Sequence, residues 1–232
     1  MHNYLFDIDG TVTPSRTKID TQFGNWMEHF ATHNACYWVT GSPRYMTERQ
    51  LGSIYQLAVR SYQCSGTDVW EQGTNIRRSD WELPKLASQF LRQVFNEETF
   101  SQKCNEDACI HERPGMINYS IIGPCDDDSQ RKSFIEWEVS AGSRSRTAEA
   151  FNIFFPDLQA TLGGETGIDI GPVGSNKSQV LADFDVEDVW FFGDKTYEGG
   201  NDFEIAEAVR AGGGKVSAVS GWEETWAILK QS

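Results

Sequence analysis

The chain is short of positive charge. Its 20 Lys and Arg stand against 34 Asp and Glu over 232 residues, giving a net charge of −14 at pH 7. Nonspecific binding to nucleic acid or to an anionic membrane needs clustered basic residues, so this balance disfavours both while leaving room for a local basic pocket. Long apolar runs are missing too. None approaches the roughly 20 residues of a membrane span, and no charged segment leads into an apolar one with a small-residue cleavage site. A cytoplasmic protein with no nucleic-acid or membrane partner is expected. Cysteine is scarce and odd in number, five residues without a CxxC pair, which fits reduced thiols. Cys104, Cys109 and His111 lie close in sequence but match no common zinc-ligand spacing, so structural thiols are expected there. Internal repeats and low-complexity tracts are absent as well.

What is present is a set of short apolar strands that end in small or acidic residues. Asn3 to Phe6 runs into Asp7, Cys36 to Val39 runs into Thr40-Gly41-Ser42, and Val189 to Phe192 runs into Gly193-Asp194. Helix-like segments at Thr21 to Thr32 and Tyr45 to Gln56 follow the first two. Strands alternating with helices predict an α/β fold with a Rossmann-like parallel sheet, whose ligands collect at the carboxyl ends of the strands. The stretch FDIDGTVTPS, Phe6 to Ser15, places two carboxylates on one side of an extended chain at such an end. On a solvated loop paired acids gain little. At the end of a buried strand they converge and can hold a cation.

The middle of the chain has another rhythm. Leu83, Leu86, Phe90, Leu91, Val94 and Phe95 recur at helical spacing after Trp81. Met116 to Ile122, Phe134 to Trp137 and Ile168 to Ile170 read as strands, and Arg146 to Phe155 as a helix. These segments predict an inserted α+β domain over 81–173 between core parts 1–80 and 174–232.

DIDGT resembles the DxDGT signature of the haloacid dehalogenase superfamily. FFGDKTYEGGNDFEIA, Phe191 to Ala206, resembles the last signature of its eukaryotic-type phosphomannomutase branch, and RPGMINYSIIGP, Arg113 to Pro124, resembles that branch's RNGMxNxSPIGR segment. The resemblance implies a core with an inserted cap, a phosphorylated sugar as substrate, Mg2+ as cofactor, and a homodimer through the cap. It makes Asp7 the nucleophile that forms an aspartyl phosphate and Asp9 the acid and base for the exchanging oxygens. Lys177 is the lysine that contacts the aspartate and the transferred phosphate. Metal ligands would be Asp7, the backbone carbonyl of Asp9, Asp194 and Asp202. Thr11 and a hydroxyl from Thr40-Gly41-Ser42 would bind phosphoryl oxygens, with Thr40 and Ser42 both candidates. Arg113 and Arg131 would grip the non-reacting phosphate, Arg16 would be a further substrate-site arginine from the core side, and Asp169 would bind the sugar hydroxyls. Asn201 has no obvious place in this scheme.

The chain also departs from that pattern. Pro124 stands where the family segment ends in arginine, and Gly167 where it has a serine. Losing one charge-assisted contact weakens phosphate binding by about 1.5 to 3 kcal/mol unless another residue compensates, for which Arg144, Arg146 and Lys132 are candidates. The core motifs serve two reactions equally. One is isomerisation of a hexose 6-phosphate to its 1-phosphate, with a hexose 1,6-bisphosphate as activator. The other is hydrolysis of a sugar phosphate. A catalytically silent phosphosugar-binding protein is a third reading, opposed by the full set Asp7, Asp9, Lys177 and Asp194.

Overall fold

The computed structural model describes residues 2–125 and 127–231. Two compact units result, one built from Met1–Arg78 with Asn176–Ser232 and the other from Ser79–Ser175, beside the 81–173 insertion expected from sequence. No helix among the described residues is long and apolar enough to cross a membrane.

The first unit begins with β1 (Asn3–Phe6), α1 (Thr21–His33), β2 (Ala35–Val39), α2 (Arg44–Leu51), β3 (Arg60–Gln63), β4 (Asp68–Glu71) and β5 (Thr74–Arg78). The inserted unit holds α3 (Lys85–Glu97), β6 (Ile110–Arg113), β7 (Met116–Tyr119), α4 (Asp128–Ala141), α5 (Ser143–Phe154), β8 (Leu158–Gly163) and β9 (Gly167–Pro172). The first unit then closes with β10 (Val189–Gly193), α6 (Phe203–Ala211), β11 (Lys215–Ala218) and α7 (Trp222–Leu229).

Seven strands form the first unit's sheet in the order β11-β10-β1-β2-β3-β4-β5. The first five of these run parallel to one another, β4 pairs antiparallel with β3, and β5 pairs antiparallel with β4. β1 (NYLF) is apolar and buried after Asn3, and β10 (VWFFG) is apolar along its length, because helices cover both faces of central parallel strands. Their side chains alternate between two cores. Phe6 and Phe192 pack with Trp38, Phe23 and Met27 on one face, while Leu5 and Phe191 pack with Val39, Tyr62 and Ile205 on the other. Helix α1 is capped by Asp20, whose carboxylate accepts from the Gln22 and Phe23 amides, and it buries Phe23, Met27, Phe30 and Ala31 at helical spacing.

The inserted unit is an antiparallel sheet, β6-β7-β9-β8, backed by α3, α4 and α5. Ile117, Tyr119, Ile168 and Ile170 face the helices and meet Leu91, Phe134 and Phe151. Asn118, Asp169 and Thr161 are register partners on the opposite face. Several sequence expectations are corrected here. Phe134 to Trp137 is helical, not a strand: Asp127 caps α4 through the Ser129 and Gln130 amides, and the buried pair Arg131 and Phe134 is spaced for a helix. The strand expected over Met116 to Ile122 stops at Tyr119, and the helix expected over Tyr45 to Gln56 is α-helical only to Leu51, continuing as a 3-10 turn from Gly52 to Leu57. No disulfide joins the five cysteines. Cys104, Cys109 and His111 do not come together as a metal-binding group among the described residues.

Candidate active site

The register of the central strands assembles the first part of the site. Phe6 pairs with Phe192 on one side and Trp38 on the other, so β1, β10 and β2 end together. Asp7 follows directly, its amide donating to the Phe192 carbonyl at 2.9 Å. Its carboxylate is 2% exposed at residue level. Oδ1 accepts from Lys177 Nζ at 2.5 Å and Oδ2 from the Thr11 hydroxyl at 3.2 Å. Lys177 opens the 3-10 turn Lys177–Asp183 and is itself buried, with its ammonium also on Asp202 Oδ1 at 2.6 Å.

Three carboxylates converge there. Oxygens of Asp7, Asp194 and Asp202 lie within 4.8 Å of one another. Burial, then the neighbouring Asp202, pushes the Asp194 carboxyl up to about 6. Burial also raises Asp7 well above the ordinary carboxylate range, with Asp202 and Asp194 adding to the effect and Lys177 opposing it. Burial alone would lower the Lys177 ammonium, but Asp202 and Asp7 outweigh it and keep the lysine protonated. The backbone is shaped for this crowding. Gly10 has φ +86°, and a Cβ there would run into the Asp194 carboxylate.

Asp9 is held apart from the cluster. Its Oδ1 accepts the Arg16 amide at 2.6 Å and Gln50 Nε2 at 2.9 Å, and its Oδ2 accepts the Ser42 hydroxyl at 3.3 Å. Arg16 takes a left-handed φ of 57° to present that amide, an uncommon conformation for a side chain of this kind. The Thr40 hydroxyl accepts the Ser42 amide at 3.0 Å, so Thr40, Gly41 and Ser42 form one turn beside Asp9. Gln50 was not singled out from sequence. It lies 41 residues from Asp9 and also donates to Thr13 Oγ1 at 3.0 Å, and no local pattern advertises such a pairing.

The remaining predicted residues belong to the inserted unit. Asp169, on β9, accepts Asn118 Nδ2 at 2.7 Å and lies 3.6 Å from Arg113 Nη1. Arg131, on α4, donates through Nη2 to Glu165 at 2.7 Å. Neither Asn118 nor Glu165 was expected to take part, although Asn118 lies inside the RPGMINYS segment. Gly167 explains the missing serine in part: a Cβ there would lie 2.9 Å from Asn118 Oδ1 and 3.0 Å from its Cγ. The amide that orients Asp169 occupies the space a serine would need.

Solved structures share this architecture. The chain superposes on a haloacid dehalogenase-like hydrolase from Bacteroides thetaiotaomicron with a TM-score of 0.63 at 12% identity, covering 100% of both chains. For a sugar phosphatase of haloacid dehalogenase subclass IIB the values are 0.61 and 16%, covering 100% of this chain and 99% of the other. Strand order, inserted unit and converging aspartates thus define a haloacid dehalogenase-type α/β fold. Sequence comparison is sharper. Residues 78–231 match the eukaryotic phosphomannomutase family. The phosphomannomutase of Galdieria sulphuraria is 30% identical over 224 residues, 92% of this chain and 88% of that one. That of Encephalitozoon cuniculi is 29% identical over 213 residues, covering 87% and 83%, and that of Saccharomyces cerevisiae 28% over 214 residues, again 87% and 83%. The chain belongs to the eukaryotic phosphomannomutase family, and it is an enzyme of phosphoryl transfer.

Proposed function

We propose that the chain moves a phosphoryl group between a sugar phosphate and Asp7, with interconversion of hexose 6-phosphate and hexose 1-phosphate as the net reaction. The observation that carries this reading is the Asp7 carboxylate at the end of β1, fixed by Lys177 and Thr11, with Asp9 two residues on and separately oriented. A carboxylate oxygen of Asp7 attacks phosphorus, and the bond from phosphorus to the sugar oxygen breaks. Asp9 gives that oxygen its proton. In the second half Asp9 takes a proton from the incoming hydroxyl, whose oxygen attacks the aspartyl phosphate and restores Asp7.

Lys177 serves as a fixed counter-charge, holding one Asp7 oxygen so that the other is oriented. Thr11 and a hydroxyl of the Thr40-Gly41-Ser42 turn are the donors for the phosphoryl oxygens. The donor set Asp7, Asp194 and Asp202, with the Asp9 carbonyl, suits a hard cation with oxygen ligands such as Mg2+. The fit is supported by the elevated Asp7 and Asp194 carboxyls, an unbalanced negative cluster, and by Asn201 Oδ1, buried beside Asp202 without a hydrogen-bond partner. When bound, such an ion offsets the charge of the carboxylates and of the transferring phosphoryl oxygens. In the inserted unit, Arg113, Arg131 and Asp169 take the non-reacting phosphate and the sugar hydroxyls, and Arg16 adds a contact from the first unit.

A hexose 1,6-bisphosphate as activator belongs to the same reading, since it can charge Asp7 at the start of a cycle. So does a homodimer through the inserted unit, supported by exposed Leu86, Val139, Ile153 and Phe154 on its helices. Five cysteines without a disulfide fit the reducing cytoplasm. Hydrolysis is the second reading, favoured by Pro124 in the place of a phosphate-gripping arginine. Phosphorus NMR separates the two. With Mg2+, mannose 1-phosphate and a trace of hexose 1,6-bisphosphate, a mutase forms sugar 6-phosphate without matching free phosphate. Free phosphate as the main product means that water takes the phosphoryl group from Asp7.

A further inference from the structure

Arg131 is 8% exposed, and α4 fixes its backbone. One of its guanidinium nitrogens is committed to Glu165 Oε2 at 2.7 Å, while the other, Nη1, is buried without a hydrogen-bond partner. Glu165 is placed differently. It stands in the turn between β8 and β9, and its side chain is 47% exposed. The arginine is therefore the fixed member of the pair and the glutamate the one that can leave.

Carboxylate and phosphate oxygens compete for the same planar fork of donors. The other arginines of this unit near its polar sheet face also have acids beside them. Arg113 lies 3.6 Å from Asp169, and Arg144 lies 3.4 Å from Glu138 while its Nη1 reaches the carbonyls of Gly164 and Gly167. Pro124 adds no charge. The positive charge offered to a second phosphate is thus balanced within the protein.

We propose that Glu165 is a specificity-determining residue, an internal carboxylate that occupies Arg131 and has to be displaced by the non-reacting phosphate of the substrate. This rests on the reading of Arg131 as a ligand of that phosphate. A dianionic phosphate outcompetes a singly charged, half-exposed carboxylate, but with lower affinity than an unoccupied guanidinium would give. An aryl phosphate, whose only phosphate is the reacting one, meets no such competition, so Glu165 raises the KM of sugar phosphates held through a non-reacting phosphate and leaves aryl phosphates unaffected.

Glu165→Gln keeps shape and acceptor oxygen but removes the charge, and its turn position leaves the core untouched. The test measures KM for mannose 1-phosphate, with a trace of hexose 1,6-bisphosphate, in the natural protein, Glu165→Gln and Arg131→Leu. Each rate is referred to the same protein's turnover of an aryl phosphate, which carries no second phosphate. KM falls about fivefold in Glu165→Gln and rises in Arg131→Leu if Glu165 competes. An unchanged or higher KM in Glu165→Gln, with a raised KM in Arg131→Leu, overturns the competition and leaves Arg131 as a phosphate ligand. An unchanged KM in Arg131→Leu overturns both.

Discussion

Lys177 and Asp7 are 170 positions apart in the chain and 2.5 Å apart in space, Nζ to Oδ1. Both are buried, and the same ammonium also serves Asp202. One cation therefore stands between two carboxylates that would otherwise face each other in a low-dielectric pocket. The orientation of one Asp7 oxygen and the local charge balance depend on this side chain.

Replacing Lys177 by Met keeps the apolar stem and removes the charge. Two buried carboxylates then lose their partner, and breaking a buried pair in this way costs about 3 kcal/mol or more. Urea melts of metal-free protein should show that loss, and kcat should fall at least about 100-fold. A variant as stable and active as the natural protein would mean that the pair does not organise the site.

Gln50→Leu probes Asp9. Asp9 keeps the Arg16 amide and the Ser42 hydroxyl but loses the Gln50 donor, so its carboxyl is less tightly oriented. The expected result is a fall in kcat of about tenfold with KM nearly constant, for sugar and aryl phosphates alike. A change confined to KM would place Gln50 in substrate binding instead.

Gly167→Ser restores the family's residue to a site that has been refitted around glycine. The added Cβ would stand 2.9 Å from Asn118 Oδ1, so Asn118 has to swing off Asp169 and break their 2.7 Å bond. A stability loss of about 1 kcal/mol is expected in urea melts, together with a several-fold change in KM for the sugar phosphate. A crystal structure of the variant with Asn118 still on Asp169 would contradict this account.

Asp183 supplies a pH signature of the first unit's fold. Burial pushes its carboxyl up, but the Tyr62 hydroxyl and the guanidiniums of Arg77 and Arg60 outweigh burial and hold it below its ordinary value of 3.8. A carboxyl lowered by folding stabilises the protein above its unfolded pKa, and that contribution disappears as pH falls through the folded value. The partners are partly exposed and solvent-screened, so Asp183→Asn should cost less than about 1 kcal/mol at pH 7. The gap between the two proteins should close as the pH is lowered below about 4. A gap that widens there would reverse the assignment.

The carboxylate centre was legible because short signatures at strand ends carry it. DIDGT, the lysine of GSNK and the GDKTYEGGND segment each fix a local backbone shape, and parallel pairing of β1 with β10 brings them together. The edges of the fold were not legible. β5 (TNIRR) is largely exposed and has no apolar alternation to mark it. Phe134 to Trp137 looked strand-like because four residues are too few to distinguish a period of two from one of 3.6, and its cap at Asp127 decides for the helix. Pairs such as Gln50 with Asp9 and Glu165 with Arg131 left no trace, since side chains 41 and 34 residues apart meet only once the sheets have formed.

The most direct test of the central claim is to find the phosphoryl group on the protein. The enzyme is mixed with Mg2+ and phosphorus-labelled hexose 1,6-bisphosphate, quenched in acid within the first turnover, digested, and mapped by mass spectrometry. Label on the peptide containing Asp7, released by hydroxylamine and absent from Asp7→Asn, is the predicted result. Turnover without label on that peptide, or label that persists in Asp7→Asn, would contradict an aspartyl phosphate at Asp7.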